Sequence, residues 1–163
     1  MPIVDTNVPV VANSHSEQAS PDCVTACVNA LQDITDSSER LVLDDDWAVI
    51  REYLANLRSD GQPGVGDAFL RWVLTNQANP ARCELIALPV DAEGEYEHFP
   101  KDHMLARFDP ADRKFVALAL AHPSRPRVLE AVDPDWWHHR RALHANGVVV
   151  QFLCPQDIAR LAE

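Results

Sequence analysis

Short apolar segments alternate with segments of helical periodicity along this chain, and the alternation restricts the folds that it can adopt. The segments predicted as strands cover residues 2–4, 40–43, 83–90, 127–132 and 148–153. Because helical segments separate most of them, neighbouring strands are expected to run parallel. The sequence therefore predicts an α/β fold in three layers, with a central and mainly parallel sheet of four to five strands.

The length and composition agree with one domain over residues 1–163. Hydrophobic residues make up 47% of the chain and charged residues 24%, which is typical of a globular protein. The longest apolar run, residues 115–121, is too short to cross a bilayer, so no membrane partner is expected. No secretory signal pattern opens the sequence, and we expect a cytoplasmic protein with reduced cysteines.

Helix signals are clear in the first half of the chain. Residues 10–21 are predicted to form a loop, and Ser20 and Pro21 to cap and open a helix that ends near Ile34. The acids at 44–46 are predicted to be a solvated helix start. An apolar stripe should follow on that helix, formed by Trp47, Ile50, Leu54 and Leu57.

The second half is predicted to end on a strand. One helix is expected from Asp133-Pro134 to Asn146-Gly147, where Gly after Asn is a typical helix stop. The segment 148–153 should then be the final strand. The acidic segment 91–102 is predicted to be an irregular excursion from the core.

An acid directly follows the first predicted strand. Asp5 and Asn7 lie two residues apart and can point to the same side where the strand ends. In open parallel sheets, ligands bind beyond the carboxyl ends of the strands, which is where Asp5 is expected. The alternative is a capping role, because Asp and Asn often start a turn or cap a helix.

Further acids occupy comparable positions. Glu52 is predicted to face a cleft from a helix, with an exposed Glu as the alternative. Asp112 opens an apolar helix. Because Asp109 can already cap this helix, capping explains Asp112 less well. Asp133 and Asp135 follow the strand at 127–132.

Carboxylates packed together repel one another and lose hydration, so a chain that groups them needs a compensating cation. Hard oxygen ligands without paired Cys or His favour Mg²⁺ or Mn²⁺ over Zn²⁺. Such an ion suits the binding of phosphate oxygens and the activation of water for phosphodiester hydrolysis. The net charge of -11 argues against a simple nucleic-acid binder, which would usually be basic.

Taken together, these acidic motifs resemble the PIN-domain ribonucleases. The matching motifs are Ile3-Val4-Asp5-Thr6-Asn7, the inward Glu52, Asp112 before Phe115-Val116-Ala117, and Val132-Asp133-Pro134-Asp135-Trp136. Their order follows that of the family over nearly the whole chain. The sequence departs from the family at Ala131, where Thr or Ser is common, and at Trp136, where Phe is usual.

The resemblance implies a divalent-metal-dependent endoribonuclease, often the toxin of a toxin–antitoxin pair, as in VapC-like proteins. It implies that the catalytic and Mg²⁺- or Mn²⁺-binding residues are Asp5, Glu52, Asp112 and Asp133, with Asp135 as an additional or alternative ligand. Asn7 would orient the first acid, with Thr6 also in a supporting role. The implied partners are an RNA substrate and an antitoxin protein, and a homodimer is compatible with the resemblance.

Basic residues are scarce, so we expect those that attract RNA phosphates to be grouped in one part of the chain. Arg127, Arg140 and Arg141 cluster in sequence around the fourth acid pair and are predicted to meet RNA phosphates. The alternative is a solvated helix face.

Two other functions remain open from the sequence. One is a catalytically degenerate PIN-like module that binds RNA or a protein partner. The other is a phosphatase of the haloacid-dehalogenase type with Asp5 as nucleophile. That chemistry requires a second Asp two residues further on, where Asn7 stands.

Overall fold

The strands of this fold run parallel to one another and are divided between two sheets. The computed structural model describes residues 1–163. Its strands are β1 (Pro2–Val4), β2 (Leu41–Asp44), β3 (Cys83–Ile86), β4 (Arg127–Glu130) and β5 (Val150–Phe152). One parallel sheet has the order β1-β4-β5, and β2 pairs with β3 in a second parallel sheet. The α/β class with parallel strands is confirmed. The single central sheet of four to five strands is not, because the strands divide into a sheet of three and a sheet of two, and the arrangement in three layers stays a prediction.

Eight α-helices and two short 3₁₀ helices connect the strands. The α-helices are α1 (Asn7–Ala12), α2 (Pro21–Asp36), α3 (Ala48–Asn56), α4 (Val65–Asn76), α5 (Arg113–Ala121), α6 (Pro134–His138), α7 (Arg140–Ala145) and α8 (Pro155–Leu161). The 3₁₀ helices are His103–Leu105 and Pro110–Asp112. None of the helices has the length and apolar composition needed to span a bilayer.

The two sheets share one hydrophobic core. A single cluster of 34 buried residues includes side chains from all the strands of both sheets except β5, whose Val150 and Phe152 pack against it. β1 lies beside β2, and the Val4 carbonyl accepts a hydrogen bond from the Tyr53 hydroxyl of α3. On its other side β1 pairs with β4, with Val4 opposite Leu129. The carboxyl ends of β1 and β4 therefore lie side by side at one edge of the fold.

A short helix begins directly after β1, which corrects the loop predicted over residues 10–21. α1 buries Val8 and Val11, and Pro9 fits because a proline in the first turn has no intrahelical N–H bond to lose. Asn13, just after α1, donates a hydrogen bond of 3.0 Å to Asp67 at the start of α4. α1 is thus held against α4, and its first turn stays at the end of β1.

The predicted start of α2 is confirmed, and the helix runs two residues further than expected, to Asp36. Pro21 is its first residue, and the Ser20 side chain caps it by accepting a hydrogen bond of 3.3 Å from the Cys23 backbone N–H.

The acid at the end of β2 is buried, so its prediction as part of a solvated helix start is wrong. Asp44 is only 1% exposed. Its carboxylate accepts hydrogen bonds from the backbone N–H groups of Ala48 (2.8 Å) and Val49 (2.9 Å). It caps α3 from inside the core, while Asp45 and Asp46 are exposed.

The predicted apolar stripe of α3 is also corrected. Trp47 precedes the helix with a φ of 62° and is 40% exposed, and Leu54 is 39% exposed. Ile50 and Leu57 of the stripe are buried as predicted, and the helix also buries Val49 and Tyr53. This orientation places the neighbouring Glu52, which is half-buried, at the edge of the fold where β1 ends.

The C-terminal part has more helices than predicted. The single helix expected up to Gly147 is two helices, α6 and α7, that meet at His139. The strand expected at 148–153 is reduced to β5, and the undetected helix α8 follows it. A disulfide joins Cys23 to Cys154, so the prediction that all four cysteines are reduced is wrong for this pair.

Candidate metal centre

The predicted acids come together at the carboxyl ends of the strands. Asp5 follows β1, Glu52 projects from α3, Asp112 ends the 3₁₀ helix before α5, and Asp133 precedes α6. They line one cavity of about 280 Å³. Its other lining residues are Thr6, Asn7, Val10 and Asn56.

Three of these acids form the closest group. One carboxylate oxygen each of Asp5, Glu52 and Asp112 lies within 4.8 Å of the other two. Two oxygens bound to one Mg²⁺ are separated by at most about 4.2 Å, twice the metal–oxygen distance. Three oxygens spaced evenly around one such ion lie about 3.6 Å apart, so the three carboxylates would have to draw together, by up to about 1.2 Å, to share one ion. Asp133 lines the same cavity but lies outside this close group.

Asp5 is fixed by the backbone around it. Its N–H donates to the Leu129 carbonyl (3.1 Å), which continues the pairing of β1 with β4. Its Oδ2 accepts from the backbone N–H of Asn7 (3.0 Å). The side chain of Asn7 turns away and accepts from the Val132 N–H (2.7 Å), which ties the start of α1 to the segment after β4.

Glu52 is positioned from α3, and both of its carboxylate oxygens have partners. Its Oε2 accepts a hydrogen bond from the Thr6 hydroxyl. The next residue, Tyr53, donates from its hydroxyl to the Val4 carbonyl, directly before Asp5. The hydrogen bonds from Thr6 and Tyr53 set the distance between Glu52 and the end of β1.

A lysine that the sequence analysis did not single out enters the cluster. The Lys114 ammonium lies 2.6 Å from Glu52 Oε1 and also donates to the Ala111 carbonyl. Its side chain is 13% exposed and that of Glu52 19% exposed. Lys114 is in the first turn of α5, two residues after Asp112, and this short spacing was the available sequence signal.

The acids near the start of α6 divide into two groups. Asp133 faces the cavity, and its Oδ1 accepts from the Asp135 N–H (2.9 Å) as a helix cap. Asp135 does not line the cavity, because its carboxylate accepts from the Asp109 N–H (2.9 Å) and lies 3.1 Å from His139 Nδ1. Asp109 itself caps the 3₁₀ helix through Ala111.

A fifth acid, Glu130, was missed by the sequence analysis. It ends β4, is 0% exposed, and its Oε1 accepts from the Asp133 N–H (2.9 Å). Val4 pairs with Leu129, so the next residues in each strand, Asp5 and Glu130, are neighbours. Asp5 Oδ1 and Glu130 Oε2 are both buried without any N–H or O–H donor. The signal was an acid within the apolar run 128–132.

The electrostatics of the cluster favour protonated carboxyls in the absence of a cation. Burial, reinforced by the charges of Glu52 and Asp133, raises the pKa of Asp5 to about 7. Burial and the charge of Asp5 raise the pKa of Asp112 to about 9. Burial also raises the pKa of Asp133, and raises that of Glu130 well above its usual range.

Hydrogen bonds between carboxyls accommodate the retained protons. The carboxyl of Glu130 lies beside that of Asp5, and the carboxyl of Asp112 beside that of Asp133, so a proton retained by one member of each pair can be shared with the other. The Lys114 ammonium balances Glu52. Two shared protons and the Lys114 ammonium would therefore offset three of the five carboxylate charges, and the remaining two favour a cation.

The donor set fits a hard divalent cation. The cavity presents carboxylate oxygens and no His or Cys side chain. Asp5 Oδ1 and Asp112 Oδ2 are buried and lack hydrogen-bond donors. Oxygen ligands of this kind suit Mg²⁺ or Mn²⁺, which would replace the shared protons.

The predicted RNA-binding arginines have other partners. Arg127 begins β4, at the opposite end of the strand from the acids, and its guanidinium pairs with Glu39 at 2.8 Å. Arg140 stacks over the Trp137 ring at 4.1 Å and donates to the Trp137 carbonyl. Arg141 is exposed. Contact of any of them with RNA stays a prediction.

Comparisons of the chain with known protein families, with curated proteins and with solved structures found no significant match.

Proposed function

We propose that this chain is a divalent-metal-dependent endoribonuclease that hydrolyses RNA phosphodiester bonds. The observation that supports the proposal is the approach of Asp5, Glu52 and Asp112 within 4.8 Å in a cavity that also contains Asp133. These residues are separated by long stretches of sequence. Grouping them costs desolvation and repulsion, which binding of a cation would offset.

The side chains take distinct roles in this proposal. Asp5, Glu52 and Asp112 would hold Mg²⁺ or Mn²⁺, with Asp133 beside them. The bound ion would supply charge stabilisation for phosphate oxygens and a water molecule of lowered pKa. Thr6 and Asn7 keep Glu52 and the first turn of α1 in place. Lys114, displaced from Glu52, would pair with a non-bridging phosphate oxygen.

The choice of RNA as substrate rests on the resemblance to PIN-domain ribonucleases. A role as a toxin, with an antitoxin partner, is part of the same proposal, as are a homodimer and a location in the cytoplasm.

Cleavage of end-labelled RNA and DNA oligonucleotides tests the proposal. We expect RNA fragments with Mn²⁺ or Mg²⁺ and none with EDTA. The Asp5→Asn variant should lose this cleavage while remaining folded, because the change removes a charge and little volume. Asp109→Asn is the matched control, since Asp109 is an exposed cap close to Asp112. Equal cleavage by Asp5→Asn and wild type would overturn the assignment.

The engagement of Glu52 favours a second candidate. Both of its oxygens already have partners, Thr6 and Lys114, as they would in a module that binds RNA or protein without cutting. For such a module, Mn²⁺ would not stabilise the protein, and RNA would be retained on the protein without being cleaved. Calorimetric titration with Mn²⁺ separates the two candidates, because only the nuclease requires a bound ion.

A further inference from the structure

Three cysteine sulfurs meet far from the acidic cavity. Cys23 and Cys27 lie one turn apart on α2, and Cys154 directly precedes α8. One sulfur from each lies within 4.8 Å of the others, and all three residues are buried. Cys23 and Cys154 are joined by a disulfide, and Cys27 is a free thiol beside it.

A cavity gives access to the bridged pair. It has a volume of about 240 Å³ and is lined by both half-cystines. Asp22, Pro155 and Gln156 also line it and are exposed, so the cavity opens to solvent. The disulfide therefore borders a cavity that opens to solvent, although Cys23 is only 3% and Cys154 only 5% exposed.

The donor set of this cluster is the opposite of that in the acidic cavity. Its close group contains only sulfur donors, without His or carboxylate. Thiolates select soft, thiophilic cations, whereas carboxylates select Mg²⁺ and Mn²⁺. Cys23 is in the first turn of the 16-residue helix α2, where the helix dipole favours a thiolate. Burial raises the pKa of Cys27 to about 12, so a bound cation has to displace the proton from that thiol.

We propose that the reduced cluster of Cys23, Cys27 and Cys154 is a second metal centre, specific for a thiophilic cation held by three sulfurs. A dithiol reductant first gives two electrons and two protons to the disulfide, which opens to two thiols while the reductant closes to its own disulfide. The cation then replaces the thiol protons, which pass to solvent. The oxidised and metal-bound forms exclude each other, because both use Cys23 and Cys154.

Cd²⁺ is a suitable probe, because cadmium–thiolate bonds absorb in the ultraviolet. We expect the protein reduced with a dithiol, and then freed of excess reductant, to bind one equivalent of Cd²⁺ with this absorption. The oxidised protein should not show it. The cluster would be refuted as a metal site if the reduced protein gave no thiolate absorption, or if the oxidised protein bound Cd²⁺ equally well.

Two single substitutions test whether Cd²⁺ binds at this cluster rather than at any cysteine thiol of the protein. Cys27→Ser should weaken Cd²⁺ binding by about 100-fold or more, since loss of even an outer-shell partner costs about 10–100-fold. Cys83→Ser is the matched control, because Cys83 is the other buried free cysteine and lies outside the group. Equal affinity of Cys27→Ser and wild type would overturn the proposal.

Thiol counting in denaturant shows whether the Cys23–Cys154 disulfide still forms in the variants. Oxidised wild type should have two free thiols, and oxidised Cys27→Ser and Cys83→Ser one each, because the disulfide leaves two of the four cysteines free. A normal count with lost Cd²⁺ binding in Cys27→Ser assigns Cys27 as a ligand. This proposal is independent of nuclease activity.

Discussion

The Lys114 ammonium lies 2.6 Å from Oε1 of Glu52, inside the group of acids that approach one another most closely. A metal ion that binds Glu52 through this oxygen must therefore compete with Lys114. The pair gives the cluster an internal counter-charge, and it makes Lys114 a residue through which metal affinity can be adjusted.

We predict that Lys114→Met binds Mn²⁺ more tightly than wild type, on the order of tenfold, which corresponds to about 1.4 kcal/mol. The reason is that the competing cation is removed. Without metal the variant should melt at a lower temperature, because Glu52 loses its buried partner. Calorimetric titration and thermal unfolding measure the two effects. Lys101→Met, at an exposed lysine, is the control, and an unchanged Mn²⁺ affinity in Lys114→Met would show that Lys114 does not compete.

Stability without metal should fall as pH rises from 5 to 8. The pKa of Asp5 is raised to about 7 and that of Asp112 to about 9, so the folded protein retains protons that the unfolded chain has released. Stability falls with pH wherever the folded state binds more protons, by up to about 1.4 kcal/mol per pH unit for each group. Groups whose pKa is lowered in the folded protein, such as Asp157, change its stability only at lower pH.

Chemical denaturation at several pH values measures this slope. Asp112→Asn should flatten it, because that side chain no longer exchanges a proton. Saturating Mn²⁺ should flatten it as well by replacing the protons. A slope that is identical in Asp112→Asn and wild type would contradict the raised pKa of Asp112.

Neutralising one acid of the cluster should not destabilise the protein in the absence of metal. We predict that Asp5→Asn melts at the same temperature as wild type or higher, because it removes repulsion, whereas most buried polar substitutions lower stability. Mn²⁺ should raise the melting temperature of wild type by mass action, and that of Asp5→Asn much less. Equal shifts with Mn²⁺ in both proteins would mean that Asp5 is not a ligand.

The protein should tolerate replacement of Glu130 by Gln, but not by an apolar residue. In Glu130→Gln the carbonyl can accept from the Asp133 N–H, and the amide can donate to Asp5 as the protonated acid does. We expect stability within about 1 kcal/mol of wild type. Glu130→Leu leaves both partners unsatisfied and should cost about 2–4 kcal/mol. Urea unfolding compares them, and similar losses for both would show that the hydrogen bonds are unimportant.

The arginines of α7 are predicted to contribute to RNA affinity. Replacing Arg140 and Arg141 with Ala should weaken binding and reduce its dependence on salt, since fewer counterions are released. Filter binding over a range of salt concentrations measures the slope. Arg58→Ala, at an exposed arginine on a different part of the chain, is the control. An unchanged slope in the double variant would place RNA elsewhere.

Acids at strand ends could be predicted because the signal is local. Asp5 and Asp133 directly follow apolar segments, and parallel strands bring such positions to one edge. Asp112 lies three residues before the apolar run that starts at Phe115. Glu130 could not be predicted in the same way, since its burial depends on the register of β4 against β1. The Lys114–Glu52 pair joins two helices, and helical periodicity does not reveal which helices meet.

Other misses have different physical causes. α1 has only six residues and contains Pro9, which masks its periodicity. The Cys23–Cys154 pair spans 131 positions, so spacing gave no hint of it. α8 carried usable signals, Pro155 at its first position and Asp157 in its first turn, which the short segment made easy to overlook.

The pairing of β1 with β4 has a consequence for the synthesis of this protein. Pro2 pairs with Arg127, so the hydrogen bonds between β1 and β4 cannot form until the second half of the chain has been synthesised. Asp5 leaves the ribosome long before Asp112 and Asp133. The acidic cavity cannot assemble on a nascent chain until most of the polypeptide has emerged. An RNA-cleaving activity at this cavity would stay silent while the message that encodes it is being translated.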